Sequence, residues 1–194
     1  MRTKDRILSE IYQKEGTHMR ELSRALNIGM PAIEHHIKNL EKERLIKKAR
    51  EGRNIKLFLN YKNINIIPSL YTIEYARLSY LPENIRSAIF EFLRQLAYKP
   101  AIAALFGSYA RGSFDRKSDI DLFLVFNEIK KSDIESKSRL IKYKYGADIS
   151  PVYITFGEFS QKFFDEKDRF MRELKQNKII IFGADWWGLL ENEK

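Results

Sequence analysis

Apolar residues in the first sixty positions recur at helical spacing and then change to strict alternation. Ile7, Leu8, Ile11 and Tyr12 fall on one helical face. Gly16 ends that helix, and Thr17 is a candidate N-cap for the next, whose apolar positions are Leu22 and Leu26. Asn27-Ile28-Gly29 reads as a tight turn, and Pro31 suits the first turn of a third helix carrying Ile33, Ile37 and Leu40. Ile46 to Arg50 and Arg53 to Leu59 then flank Glu51-Gly52. Ile55, Leu57 and Leu59 alternate with Lys56 and Phe58, which predicts a hairpin.

Beyond a connector at Asn60 to Asn65, Pro68-Ser69 opens a helix over Leu70 to Tyr80, which reads either as a linker or as a dimerisation helix. Ile85, Ile89, Phe92, Leu93 and Leu96 predict another, closed by Lys99-Pro100. The apolar run 101–106 suits a buried strand. Gly107-Ser108 breaks it, a short helix begins at Tyr109, and a loop covers Ser113 to Lys117. A strand follows from Ser118 to Phe126. Ile134, Ser138, Ile141 and Tyr145 mark a helix ended by Gly146, and residues 147–154 return to a strand. Phe159, Phe163, Phe170 and Leu174 fit a helical stripe with a break near Asp165-Glu166. Lys178 to Gly183 is a last strand, and Trp186-Trp187 open a C-terminal helix in which both rings are expected to pack as core or interface. The pattern predicts an α+β fold in three parts: a helical and hairpin domain over residues 1–60, a connecting helix over 61–81, and strands alternating with helices beyond.

Charge sharpens this division. The 194-residue chain has a net charge of +9 and no cysteine, which excludes disulfides and thiolate metal sites. Residues 1–60 hold 14 Lys and Arg against 8 Asp and Glu, and the remainder holds 21 against 18. The smaller part therefore carries most of the excess, which favours a polyanionic partner there. No apolar run is long enough to span a membrane and the N-terminus lacks a signal-peptide pattern, so no membrane partner is expected and a cytoplasmic location is.

The order helix, helix, short turn, helix, basic hairpin, with Leu22 to Ile28 and Ile33 to Ile46 as its core, resembles the winged helix-turn-helix family of DNA-binding regulators. The resemblance implies that residues 1–60 bind DNA. The third helix would enter the major groove with Glu34, His35, Lys38 and Asn39, and the hairpin tip would set Arg50 and Arg53 against phosphate or the minor groove. Such regulators are usually dimers on palindromic sites, so a homodimer is expected. The bland alternative is a small helical domain that packs on a protein partner.

The candidate chemistry lies between residues 107 and 121. Asp119 and Asp121 alternate on a strand and so face the same way. Two adjacent carboxylates on a rigid strand repel one another unless a cation lies between them, and a hard divalent ion such as Mg2+ takes oxygen ligands. Gly107 lets the backbone approach a phosphate, Ser108 offers a hydroxyl and an N–H, the following helix start adds amides, and Arg111 lies one turn on. Asp115, Arg116 and Lys117 read as solvated loop residues, with a contact to nucleotide phosphate also open to Lys117.

Gly107-Ser108-Tyr109-Ala110-Arg111-Gly112 with Ser118-Asp119-Ile120-Asp121-Leu122 resembles the core motif of the DNA polymerase beta-like nucleotidyltransferase superfamily, in its minimal branch. The resemblance implies a mixed sheet flanked by helices over residues 82–194, a two-metal Mg2+ site, ATP or another nucleoside triphosphate as substrate, and a third carboxylate on a neighbouring strand, for which Asp148 is the candidate. Asp148 would be a metal ligand, with a general-base role toward the incoming hydroxyl also open to it. For the minimal branch the resemblance further implies a HEPN-type toxin protein as acceptor, silenced by adenylylation of a tyrosine. Two functions follow: a transferase attached to a DNA-binding domain, including an antitoxin that represses its own operon, or a DNA-binding regulator whose transferase fold senses nucleotide or is inactive.

Overall fold

The computed structural model describes residues 2–52 and 54–191. They form two compact units, the first running to Ile73 and the second from Glu74 to Leu190. The division falls beyond the connector at Asn60 to Asn65, inside the helix expected over Leu70 to Tyr80. Each unit has its own core, and the fold class is α+β.

The first unit follows the predicted order. Helices α1 (Thr3–Gln13), α2 (Met19–Leu26) and α3 (Met30–Lys42) precede strands β1 (Ile46–Glu51) and β2 (Asn54–Leu59). The strands pair antiparallel, with Lys48 opposite Leu57. Ile7, Leu8, Ile11, Leu22, Ile33, Ile37, Leu40 and Leu57 are buried, so the helical stripes read from the sequence are the core faces. Asn27 is left-handed, at φ 52°, and closes α2 in the turn expected there. The cap of α2 differs from expectation. His18 occupies the N-cap position, and its N–H donates to Glu21 at 3.0 Å. Thr17 is instead buried and joins β2, accepting from the Leu57 N–H at 2.9 Å. Lys14, the His18 N–H and the Thr17 hydroxyl together hold the Glu21 carboxyl down to about 2.

A 3-10 turn over Ile64–Ile66 leads into α4 (Ile67–Ser79), with Pro68 in the first helical turn as expected. The second unit continues through α5 (Glu83–Gln95), β3 (Ile102–Leu105), α6 (Gly107–Arg111), β4 (Ile120–Phe126), α7 (Lys131–Tyr145) and β5 (Ile149–Thr155). It ends with α8 (Phe156–Phe164), α9 (Arg169–Gln176), β6 (Ile179–Phe182) and α10 (Ala184–Glu191). The sheet order is β5-β4-β3-β6. Strand β3 runs antiparallel to β4 and β6, while β4 and β5 are parallel and joined through α7.

Strand β4 is central, and residues 122–126 are all buried. Its even positions, Leu122, Leu124 and Phe126, join a core with Ile89 and Phe92 of α5 and Ile134 and Ile141 of α7. Phe123 points to the opposite face, where its ring lies 5.8 Å from Phe159 and 5.6 Å from Phe170. Both faces of β4 are therefore covered, which explains its continuous apolar run. The expected break in the aromatic stripe is the Asp165 to Asp168 turn between α8 and α9. Only one C-terminal tryptophan enters the core. Trp187 is buried against Phe159 and Phe163, whereas Trp186 is 47% exposed. Among the described residues no helix is long and apolar enough to cross a membrane.

Truncating the ring between the sheet and α8–α9 tests this layering. Phe123→Ala is expected to cost about 3–5 kcal/mol, read as a lower midpoint in chemical denaturation. A loss under about 1 kcal/mol would contradict the two-sided burial of β4.

Candidate active site

The ends of three neighbouring strands meet at one edge of the sheet. Strand β3 ends at Leu105, β4 begins at Ile120 and β5 begins at Ile149. Asp119 immediately precedes β4, and Asp121 is its second residue. Asp148 immediately precedes β5. Ile120 aligns with Ile149 in the parallel register, and the Ile120 N–H donates to the Asp148 carbonyl at 2.7 Å. This pairing sets Asp148 beside Asp119 at the strand starts.

The turn after β3 is tied to the same place. The Phe106 N–H donates to the Asp121 carbonyl at 3.0 Å, and Gly107 then adopts φ +67° to open α6. A Cβ built on Gly107 would lie 1.9 Å from Asp121 Oδ2 and 2.9 Å from its Cγ. No side chain fits there, so the glycine is demanded by the Asp121 carboxylate as well as by its backbone angle. Ser108 is half-buried in the first turn of α6, and Arg111 is exposed in its last.

The acids are electrostatically unequal. Burial, and then the charge of Asp119, push the Asp121 carboxyl above its ordinary value, and Arg111 opposes the shift. Asp119 is exposed. The Asp148 carboxylate makes an ion pair through Oδ2 with Lys142 in the last turn of α7. The lysine is pushed above its ordinary value by that hydrogen bond and the Asp148 charge, and also by Asp119. Among the described residues no group of three or more His, Asp or Glu side chains converges closely enough to hold a metal ion. The donor set is nevertheless all carboxylate oxygen, as a hard divalent cation requires, and the charge of Asp119 acts on Asp121 and on Lys142 beside Asp148.

Two cavities flank these residues. One of about 610 Å³ is lined by Asp119, Asp148, Lys142, Tyr109, Arg116 and Lys117, among others. The Tyr109 ring stacks on Phe114 at 4.5 Å and forms part of its wall. Burial, followed by Asp115 and Asp119, raises the Tyr109 hydroxyl above its ordinary value. The other, about 320 Å³, is lined by Gly107 and Arg111 with Phe106, Phe170, Glu173 and Asn177. Asp115 builds its own loop, accepting from the Lys117 N–H at 2.8 Å and from the Ser118 hydroxyl at 3.1 Å. Arg116 and Lys117 are exposed, as solvated loop residues are. Lys142, Tyr109 and the α9 wall were not singled out by sequence reasoning. Tyr109 lies within the motif string, Lys142 meets Asp148 through the turn at Gly146, and α9 alone of the three comes from a distant part of the chain.

In the first unit, Glu34, His35, Lys38 and Asn39 are all exposed on α3, and Asn39 Nδ2 lies 3.1 Å from His35 Nε2. Arg50 is exposed near the hairpin tip and donates to the Gly52 carbonyl at 3.3 Å. Arg53 lies outside the described residues.

Residues 86–182 match the family model of the nucleotidyltransferase domain. Residues 3–66 match a second model, described as HVO_A0114. A protein of Methanocaldococcus jannaschii, named provisionally as a protein adenylyltransferase, is 35% identical over 72 residues, which are 34% of this chain and 70% of that relative. Among solved structures, a toxin–antitoxin with AMP-PNP is 16% identical and covers 58% of this chain and 85% of its own, at a TM-score of 0.42. A zinc-dependent MarR-family transcriptional regulator in its Zn(II)-bound state is 23% identical and covers 48% and 72% respectively, at a TM-score of 0.28. At those scores neither overlay bears on function.

The raised Asp121 carboxyl implies a sign. Well below the ordinary carboxylate value of about 4 it is neutral both folded and unfolded and costs nothing. As pH rises through the raised folded value, the folded state loses stability relative to the unfolded chain. In chelator-containing buffer Asp121→Asn is therefore expected to melt higher than the parent at pH 7, with the gap closing as pH falls below 4. A lower-melting variant at pH 7 would refute the assigned strain.

Proposed function

The chain belongs to the nucleotidyltransferase domain family, and we propose that it moves a nucleoside monophosphate from a triphosphate, ATP in the first instance, to a hydroxyl on a protein or small-molecule acceptor with the help of divalent metal. One observation carries the reading: the Asp121 carboxylate packs against the side-chain-free Gly107 backbone, with Asp119 and Arg111 both acting on its charge. Carboxylate, turn and guanidinium are thus parts of one construction rather than separate surface features.

The residues divide the work by charge. Asp119, Asp121 and Asp148 supply the oxygens that would hold Mg2+. When bound, the metal polarises the α-phosphate and screens the charge of the departing pyrophosphate. Arg111 and the Gly107-Ser108 turn hold the phosphate tail through guanidinium, hydroxyl and N–H donors. Because α6 has only five residues, its dipole adds little and the individual donors matter more. In the transfer the acceptor oxygen forms a bond to the α-phosphorus, the bond from that phosphorus to the bridging oxygen breaks, and pyrophosphate leaves. The acceptor proton passes to a base at the carboxylate cluster, and Asp148 is the candidate. The name of the archaeal relative supports a protein acceptor, and the motif resemblance favours a HEPN-type toxin.

The first unit we read as a DNA-binding domain, probed through α3 and the hairpin. The exposed polar face of Glu34, His35, Lys38 and Asn39, with Arg50 at the hairpin, supports it. Attachment to such a domain makes an autoregulating antitoxin the fullest form of the proposal, with a homodimer as the assembly suited to a palindromic site.

Incubation with Mg2+ and labelled ATP, with and without lysate of the source organism, tests the transferase. Label should pass to an acceptor and fall at least about 100-fold in Asp119→Ala/Asp121→Ala. Equal labelling by that double variant would place the chemistry elsewhere. For the first unit, binding to DNA from the chain's own promoter should weaken steeply between 50 and 200 mM salt, on the scale of about tenfold or more. Arg50→Ala should weaken it further and flatten the salt dependence. Indifference to both salt and Arg50→Ala would remove the hairpin from the interface.

A further inference from the structure

Lys142 has no part in the motif, yet its ammonium is bonded to one of the candidate metal ligands. It projects from the last turn of α7, four residues before the left-handed Gly146 that ends the helix. The chain then turns through Ala147 into Asp148, so the geometry of the helix end brings residues six apart into contact. The bond goes to Asp148 Oδ2. Lys142, Asp119 and Asp148 line the same 610 Å³ cavity, and both acids raise the lysine above its ordinary value. The pair is open to exchange with solvent ions, since its side chains are 62% and 45% exposed.

We infer that Lys142 is a resident counter-ion of the site, one that a divalent metal must displace from Asp148 in order to bind. This rests on the proposed reading of Asp148 as a metal ligand. Charge decides the sign. Asp119, Asp121 and Asp148 bring three negative charges, which Lys142, Arg111 and the cavity-lining Arg116 and Lys117 partly neutralise. An ammonium on Asp148 occupies one carboxylate oxygen and repels an approaching dication. Partly exposed ion pairs are worth little, so a dication with several carboxylate ligands outcompetes the lysine at modest concentration. Once displaced, the Lys142 ammonium remains in the cavity as a cation available to substrate. The arrangement therefore makes metal entry weaker in the absence of an anionic substrate and easier once phosphate oxygens can receive the lysine.

The opposite role would use the same contact. Lys142 could stay on Oδ2 while Oδ1 binds the metal, orienting the ligand as an outer partner does. The two roles predict opposite effects of removing the charge. Binding of Mn2+ alone, titrated by the EPR signal of the free ion, separates them without any need for turnover. Lys142→Gln is expected to bind Mn2+ about three- to tenfold more tightly than the parent, the range set by one charge acting on a dication across a solvent-screened site. Lys142→Arg, which keeps the charge, should bind within about twofold of the parent. Lys131→Gln, which removes an equal charge from the far end of α7, should also leave binding unchanged. Unchanged or weaker Mn2+ binding in Lys142→Gln, with parental binding abolished by Asp119→Ala/Asp121→Ala, overturns the counter-ion role and leaves the metal site standing. Absence of Mn2+ binding in the parent and in every variant overturns both.

Discussion

The closest constraint in the second unit is the contact between the Asp121 carboxylate and the backbone of Gly107. It joins two elements that the chain separates by a helix and a loop. The Phe106 N–H donates to the Asp121 carbonyl, and the next residue must then turn with φ +67° and no side chain, because Asp121 already fills the space. An acid held half-buried against the backbone and beside another acid is not an arrangement that folding favours. It persists because β4 is locked from both sides, by Leu122 and Leu124 in the α5–α7 core and by Phe123 against Phe159 and Phe170. Hydrophobic burial over the length of the strand stabilises its first turn of charge, as expected where stability is exchanged for chemistry.

The parallel pairing of β4 and β5 extends the problem to a third acid. Parallel neighbours require a crossover, here α7, and the crossover returns the chain to the same sheet edge with Asp148 level with Asp119. A sheet built this way concentrates negative charge at one end, and cations reach it by separate routes. Arg111 comes from the helix opened by Gly107, and Lys142 comes from the last turn of the crossover itself. The helix that makes the third carboxylate possible thus also carries its counter-ion.

What could be read from the sequence follows from the range of each constraint. The Gly107-Ser108 turn and the Asp119/Asp121 alternation are local, and strand geometry alone predicts that the two acids share a side. Asp148 needed the family resemblance, because nothing near it marks a strand start as a site. Lys142 was invisible: one lysine among many on a helix, its role set by where Gly146 turns the chain. The cap of α2 went to His18 because the β2 pairing withdraws Thr17 into the core, a contact forty residues away in sequence. The tryptophans show the same limit. Adjacent helical positions point apart, so only Trp187 could be buried, while Trp186 stays at the surface.

On the proposed DNA-binding reading, the charges of the first unit divide by task. Ion pairing leaves the basic excess untouched: Lys14, Lys48 and Lys56 pair with Glu21, Glu41 and Glu51, and the cations that outnumber the acids remain. On α3 the exposed face mixes Glu34 with Lys38 and couples His35 to Asn39, so its net charge is small. Exposed Lys47 and Arg50 on β1 have no ion pair among the described residues. A face of mixed polar groups suits base edges, which offer both donors and acceptors, while uncompensated cations suit phosphate. The wing would then provide most of the affinity and its salt dependence, and α3 the selectivity. A repressor divided this way keeps its hold on DNA when the helix residues change, and changes its site when they do.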